Sequence, residues 1–396
     1  MLSISSWQCE DNRIEADLSH LPLSLDTVSI DLISFSSYRI APNLGSNDRL
    51  YLGTKNSLDV PLSFIGIKDH YYWSNSLDST VTVDSLHFIL YSSDSLLTQS
   101  STPNLFFNPD SQFNESKSTY LDFVGYSIAD WESIGQPNVI INTDTRGIFT
   151  YTELVWDIMS IDSMLTDTVD SNLIRNFAIQ MTNSDTNFIE LFSREATSGD
   201  GPMDPKVKMY YRQNRVDDDS TVHDTANVTI YSFGDISIID PSYIDTESIN
   251  LGLSNGIGLR SLVSIPFDSA SIPEGSLIRK AILSLPIDTS SSSDGYNIIV
   301  DPIDELVDTA DVVFETDPYI GMGYPYQFRT SSNIENGMFI VSLKKYLQNI
   351  TLGNETNLGF KVVANEKNDP FESINFDIEN ESAKPILEII YVYVPN

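Results

Sequence analysis

The chain has 396 residues, 41% of them hydrophobic, and 22 Lys and Arg stand against 56 Asp and Glu, a formal net charge of −34. That length exceeds one ordinary core, so two or three domains are expected, and the apolar content is too high for a disordered chain. The charge excludes the basic footprint that nucleic acid or an anionic membrane needs, the single cysteine, Cys9, excludes a disulfide framework or Cys-based zinc site, and no run of about 18 apolar residues would span a bilayer.

Residues 1–24 form an N-terminal segment left without an assignment. Their start, MLSISSWQCEDNR, has neither a basic region nor an apolar core, so it does not read as a signal peptide. From residue 25 onward apolar residues alternate with Ser, Thr, Asp and Asn, as in TVSIDLISFSSYRI (27–40) and STVTVDSLHFILYSS (79–93). Period two with β-branched and aromatic enrichment predicts strands. Stretches such as APNLGSNDR, SSSSDGYN and LGNET supply the turns between them. Two stretches predict helices of two or three turns: TYTELVWDIMSID, with Thr152 near its N-cap, and VSLKKYLQNI, with Ser342 near its own.

Those two stretches also align with each other, Trp156 opposite Tyr346, and open an internal repeat. NFAIQMTN (176–183) parallels LGFKVVAN (358–365), DRLYLG (48–53) parallels ESINLG (247–252), and FIELF…PKVKMYY parallels SINFD…PILEIIY, with Pro205 opposite Pro385 and Tyr211 opposite Tyr391. The acidic, patternless stretch 213–226 between the copies is expected to be a linker. The fold expected is all-β: two tandem antiparallel jelly-roll-type β-sandwiches with short helical segments, over 25–212 and 227–396.

The second unit resembles the DNRLRE-type β-sandwich domain found in tandem in secreted bacterial surface proteins. INLGLSNGIGLRSLVSIPFDSASIPEGSLIRKAILSLPID (249–288) carries the likeness through Arg260, Ser261, Leu262, Pro273, Gly275, Ile278, Ala281 and Leu283. The first unit keeps the family's Phe-Ser-Arg-Glu at 192–195, which the second lacks, and has PLSFIGI (61–67) in place of the Arg-Ser-Leu strand. The resemblance implies an extracellular or cell-surface protein without catalytic residues in the sandwich, and in some members a module that recognises acidic polysaccharide.

Ser193-Arg194-Glu195 invites a nucleophile reading, but none of His20, His70, His87 and His223 stands in a motif that would supply its base. Arg194 and Glu195 are therefore expected to anchor the loop that follows, the guanidinium offering planar donors. With 56 acids, proximity of two carboxylates singles out no glycosidase pair. The acidic loops fit calcium, a cation bound by six to eight oxygens. Candidate ligands are Asp200 and Asp204, and Asp217, Asp218 and Asp219; Asp144 stands in a third such loop, and none has EF-hand spacing. Aromatic clusters HYYW (70–73) and YIGMGYPYQF (319–328) nominate Trp73, Tyr319, Tyr324 and Tyr326 as sugar-stacking platforms. The function expected is a non-enzymatic structural or adhesive surface protein that self-associates into a fibre or appendage or contacts other surface proteins. The alternative is a tandem carbohydrate-binding module. Calcium is the expected cofactor, and neither nucleic acid nor a membrane span is expected.

Overall fold

The computed structural model describes residues 23–31, 33–68, 80–94, 97, 102–109, 113–143, 150–161, 174–181, 188–197, 201–217, 220–241, 251–288, 295–307, 313–319, 327–378 and 384–395. Among the described residues the first elements are β1 (Ser24–Ile30) and β2 (Ser34–Ile40). It continues through β3 (Arg49–Lys55), β4 (Leu58–Lys68), β5 (Val81–Ser92), β6 (Asn104–Asn108), β7 (Glu132–Gly135) and β8 (Asn138–Thr143). Next come β9 (Thr150–Asp157), β10 (Ile174–Gln180), β11 (Phe188–Phe192), β12 (Lys206–Asp217) and β13 (Ser220–Asp240). The second half holds β14 (Gly252–Leu253), β15 (Leu259–Ser264), β16 (Leu277–Pro286), β17 (Asn297–Pro302), β18 (Val313–Phe314), β19 (Thr330–Glu335) and β20 (Met338–Ser342). Helix α1 (Lys344–Thr351), β21 (Phe360–Ala364), β22 (Ile374–Asn375) and β23 (Ile386–Tyr393) complete it. The fold is all-β and sandwich-like, and nearly every strand pair is antiparallel. Among the described residues no helix is long and apolar enough to cross a membrane.

Alternation decides these elements locally. In β23, Leu387, Ile389 and Tyr391 are buried and their neighbours are not, as the two-residue period of a half-buried strand requires. The same rule corrects one expected helix. TYTELVWD is β9, because Thr152, Leu154 and Trp156 point to one side and are buried, a spacing no helix face can satisfy. The other expected helix is α1, although Leu343 rather than Ser342 stands at its N-cap. Trp156 and Tyr346, matched in the repeat, thus sit on a strand and a helix respectively, both buried.

Each half is a continuous sheet curled over its own core. The first has strand order β7-β6-β10-β4-β13-β12-β5-β9-β8, with β3 and β11 branching from β4. Its core gathers Phe88, Phe107, Phe177, Trp156 and Leu191. The second runs β1-β23-β16-β20-β19-β17-β21-β15-β2-β18, around Tyr296, Phe339, Phe360 and Leu387. The repeat is visible in the pairing: β10 lies between β4 and β6 as β21 lies between β15 and β17, and β11 pairs β3 as β22 pairs β14.

Two pairings depart from the boundaries expected from sequence. Within the expected linker 213–226, residues 213–217 and 220–226 are instead the distal part of β12 and β13, with Gln213 opposite Asp224 and Asn214 opposite His223. Their polar composition reflects a ribbon that projects beyond the core, where the backbone ladder and not apolar burial holds the chain. The opening strands also belong to the far half. β1 pairs β23, Ile30 opposite Leu387, and β2 pairs β15, Ser37 opposite Ser261. In the first half the same places are taken by β13, with Ile230 opposite Val207 and Ser237 opposite Ser63. Each half is therefore completed by the strand that begins the other.

The halves also pack directly. Tyr51, Leu58, Val60 and Ile239 of the first bury against Phe371 of the second, with the Tyr51 and Phe371 rings edge-on at 5.1 Å. Lys55 reaches across to Asp369 at 2.8 Å while also meeting Glu190 at 3.3 Å.

Candidate functional site: a buried carboxylate cluster

Three acids converge at the edge of the first sandwich. Glu115, Glu195 and Asp235 each place a carboxylate oxygen within 4.8 Å of the others. Glu115 rises from the turn after β6, where the Asn43 amide donates to its carbonyl at 3.0 Å. Glu195 lies in the 3-10 turn Arg194–Thr197 that follows β11. Asp235 stands mid-strand on β13, wholly buried. Gly234 beside it leaves room for Glu115: a Cβ there would come within 2.9 Å of Glu115 Oε1.

The cluster is poor in positive charge. Glu115 Oε1 accepts the Asp235 backbone N–H at 2.9 Å, and Asp235 Oδ2 accepts the Arg194 N–H at 2.9 Å. Glu195 Oε2 is buried without a hydrogen-bond partner, and the nearest guanidinium atom, Arg194 Nη1, lies 3.8 Å from Oε1. Burial, followed by the charge of Glu195, pushes the Asp235 carboxyl well above the ordinary carboxylate range. Burial, then Glu115, raises Glu195 as well. A cation held among these oxygens would offset the burial and mutual repulsion that disfavour the charged forms of Asp235 and Glu195. The set is all hard oxygen, the donor type that calcium takes. Glu115 also lines a surface cleft of about 270 Å³ with Phe113 and Phe233, which gives the cluster a route to solvent.

The sequence-nominated residues fall in other places. Ser193 is fully buried, its hydroxyl donating to the Asn47 carbonyl at 2.6 Å and accepting the Glu195 N–H at 3.1 Å, so it is a tie in the chain. The loop is held through Ser193 and the Arg194 backbone, not through the Arg194 guanidinium, which is partly exposed. Glu195 belongs to the cluster. Asp204 is buried and accepts the Gly201 N–H at 2.7 Å to close its own turn, apart from the three acids. The Asp217 backbone ends β12, while Asp144, Asp200, Asp218 and Asp219 lie outside the described residues. Tyr319 is no exposed platform: it is 2% exposed, its hydroxyl donates to the Val307 carbonyl at 2.8 Å, and its ring meets Tyr38 edge-on. A ring flanked by Gly and Pro in sequence reads as a loop residue, but packing beneath β2 gives it a core place. Trp73, Tyr324 and Tyr326 lie outside the described residues.

Sequence reasoning missed Glu115 and Asp235. Asp235 did leave a signal, a lone acid inside the apolar alternation YSFGDISIID. Its equivalent in the second half is Phe35, which packs on Phe376, so the cluster has no counterpart there.

The groove between the halves, about 870 Å³, holds Arg260 and Arg329. Both are paired, Arg260 with Asp317, which also binds Lys361, and Arg329 bidentately with Asp301. No family model, no curated protein and no solved structure matches the chain.

Proposed function

We propose that the chain is a non-enzymatic structural or adhesive subunit of an extracellular or cell-surface assembly, akin to DNRLRE-type tandem sandwiches, and that it self-associates. The observation that carries this reading is the edge strand β8. It ends the first sheet, carries the uncharged sequence NVIINT, and exposes Ile140 and Ile141 to 44% and 59%. Successive side chains of a strand face opposite ways, so Ile140 and Ile141 expose apolar surface on both faces of this edge, although Val139 packs on the first core. Natural edges are normally blunted by charge or proline, because an open ladder is a template for another strand. In a chain of net charge −34 an uncharged apolar edge marks a contact surface. Calcium, held by Glu115, Glu195 and Asp235, is the structural ion in this reading. Light scattering across a concentration series with calcium tests it: oligomers of the native chain that disappear in Ile141→Lys support it, and a strictly monomeric native chain overturns it.

A second reading, carbohydrate binding, is favoured by a cleft of about 550 Å³ lined by Phe106, Tyr120, Phe123 and Tyr126 with Gln180 and Asp240 among its polar groups. Aromatic faces beside polar groups suit the apolar face of a sugar ring. The groove cations, already paired to Asp301 and Asp317, favour a neutral glycan over an acidic one. A glycan array probed with the native chain and with Tyr126→Ala decides this, and no bound sugar ends it.

A further inference from the structure

We propose that residues 24–40 are a donor arm that exchanges between copies of this chain: β1 and β2 of one molecule fill the seat along β23 and β15 of the next. The proposal deepens the self-association reading and rests on it, but through a different surface.

The two halves show that this seat accepts a strand from elsewhere. Ile30 and Ser37 on β1 and β2 meet Leu387 and Ser261, as Ile230 and Ser237 on β13 meet Val207 and Ser63. In the first half the donor follows directly from β12 through a tight hairpin, so it cannot leave without breaking that hairpin. In the second half the donor is contiguous with nothing it pairs with. It arrives from the opposite end of the chain and is joined to the first sandwich by residues 41–48. That joint is fixed to the first sandwich: Asn43 donates to the carbonyls of Glu115 and Ser118 at 3.0 and 2.7 Å. The arm therefore starts from one sandwich and ends in another, and the contacts it makes are the same whichever copy supplies the second.

The arm is also the less well seated of the two donors. β13 buries four isoleucines, Ile230, Ile236, Ile238 and Ile239, whereas the arm buries Tyr38 alone, and its Val28, Ile30, Ile33 and Phe35 are only partly buried against the second core. Among the described residues five buried side-chain polar atoms lack a hydrogen-bond partner; two of them, Ser37 Oγ and Arg39 Nε, belong to the short β2, against one, Ser232 Oγ, on the much longer β13. A weakly committed strand on a proline-containing joint is the arrangement from which domain swapping proceeds. Because donor and acceptor are different surfaces, exchange need not close on itself, and a head-to-tail row can continue as a filament. Closure within one chain competes through its high effective concentration, so exchange rises with protein concentration.

The test uses the full chain with Cys9→Ser and single cysteines at Ser34 and Ser264, which are exposed and opposite each other on β2 and β15. Differently tagged Ser34→Cys and Ser264→Cys chains are mixed, incubated at rising concentration in sub-denaturing urea, returned to buffer and oxidised. Exchange predicts a disulfide-linked pair of twice the chain mass carrying both tags, in excess of like-with-like pairs and increasing with concentration. It also predicts that the double variant, oxidised beforehand as a monomer, no longer enters mixed species. Mixed single variants that give no excess of the two-tag pair, while the double variant closes its own bridge, overturn the proposal. A double variant that fails to bridge overturns it too, since the register would be absent. The two surfaces separate cleanly: two-tag pairs that survive Ile141→Lys belong to the arm, and light-scattering oligomers that persist in the oxidised double variant belong to β8, so a failure of the exchange leaves the β8 reading standing.

Discussion

Ser37 and Ser237 occupy equivalent places in the two sandwiches, but only Ser237 has a partner for its hydroxyl. Ser237 Oγ accepts the Tyr51 N–H at 2.8 Å and lies 2.9 Å from Ser63 Oγ, and the Ser63 hydroxyl donates to the Tyr51 carbonyl at 2.8 Å. In the second half Ser261 keeps the corresponding bond, to the Gly252 carbonyl at 2.9 Å, while Ser37 Oγ is buried and unsatisfied.

The same substitution should therefore act in opposite directions. Ser237→Ala leaves the buried Tyr51 N–H without an acceptor and should cost about 1–3 kcal/mol. Ser37→Ala removes a hydroxyl that is desolvated and unpaired, so it should be neutral or stabilising by up to about 1 kcal/mol. Urea titration of both variants checks the contrast; equal losses would mean that Ser37 has a partner in solution.

Asp235 gives stability a pH dependence of unusual sign. Its carboxyl is raised in the folded state by burial and by Glu195, so folding favours its protonated form. The cost is present above the folded value and fades as pH falls toward the ordinary carboxylate value near 4. In chelator, the difference in stability between Asp235→Asn and the native chain should be about 1–3 kcal/mol in favour of the variant at pH 7 and shrink toward pH 4. Calcium should raise the native melting temperature at pH 7 and leave the variant unmoved.

Lys206 predicts a second window. Burial, the dominant effect, lowers its ammonium to about 8, with the Nζ donating to the Pro202 carbonyl and resting over the Tyr91 ring. A depressed lysine loses its proton in the folded state first, so stability should rise as pH climbs from 8. Measured against Lys206→Met, the gain should reach about 2 kcal/mol by pH 9.5, a difference that removes the opposing effect of the buried tyrosines, which begin to ionise in the unfolded chain in this range. Lys206→Met should abolish the rise, measured by chemical denaturation at four pH values between 7.5 and 9.5.

The contact between halves is open to a simple test. Phe371 is 3% exposed and its ring lies 5.1 Å from Tyr51 and 4.9 Å from Phe188. Phe371→Ala should cost about 3–5 kcal/mol and separate a single calorimetric transition into two. Gly256→Ala should act alike, since its Cβ would lie 2.9 Å from Ile239 Cδ1 and 3.0 Å from Leu58 Cδ1 of the first half. A single undivided transition in both variants would refute the coupling.

How much of this was legible in sequence depended on range. Alternation is a local property, so the strands around Leu387 and Phe88 and the repeat that aligns Pro205 with Pro385 could be read directly. The helix expected over Thr152 and Trp156 failed because a short apolar run fits either period until its burial partners are known. The carboxylate cluster was hidden for another reason. Glu115, Glu195 and Asp235 come from three separate parts of the chain, and only the β13–β4 pairing and the turn after β11 bring them together. The donation of β1 and β2 to the far half was equally invisible, because Ile30 carries no mark that distinguishes Leu387 from Val207 as its neighbour.

That crossed pairing also sets an order on the ribosome. The first sandwich has all its strands once Asp240 has emerged. Ile30 leaves the exit tunnel early but must wait for Leu387, roughly 350 residues later, which at bacterial or eukaryotic elongation speeds is about 18–70 seconds. Throughout that interval the nascent chain carries a folded head and an unoccupied leading ribbon, and neighbouring chains on one polysome carry the same ribbon at successive stages of growth.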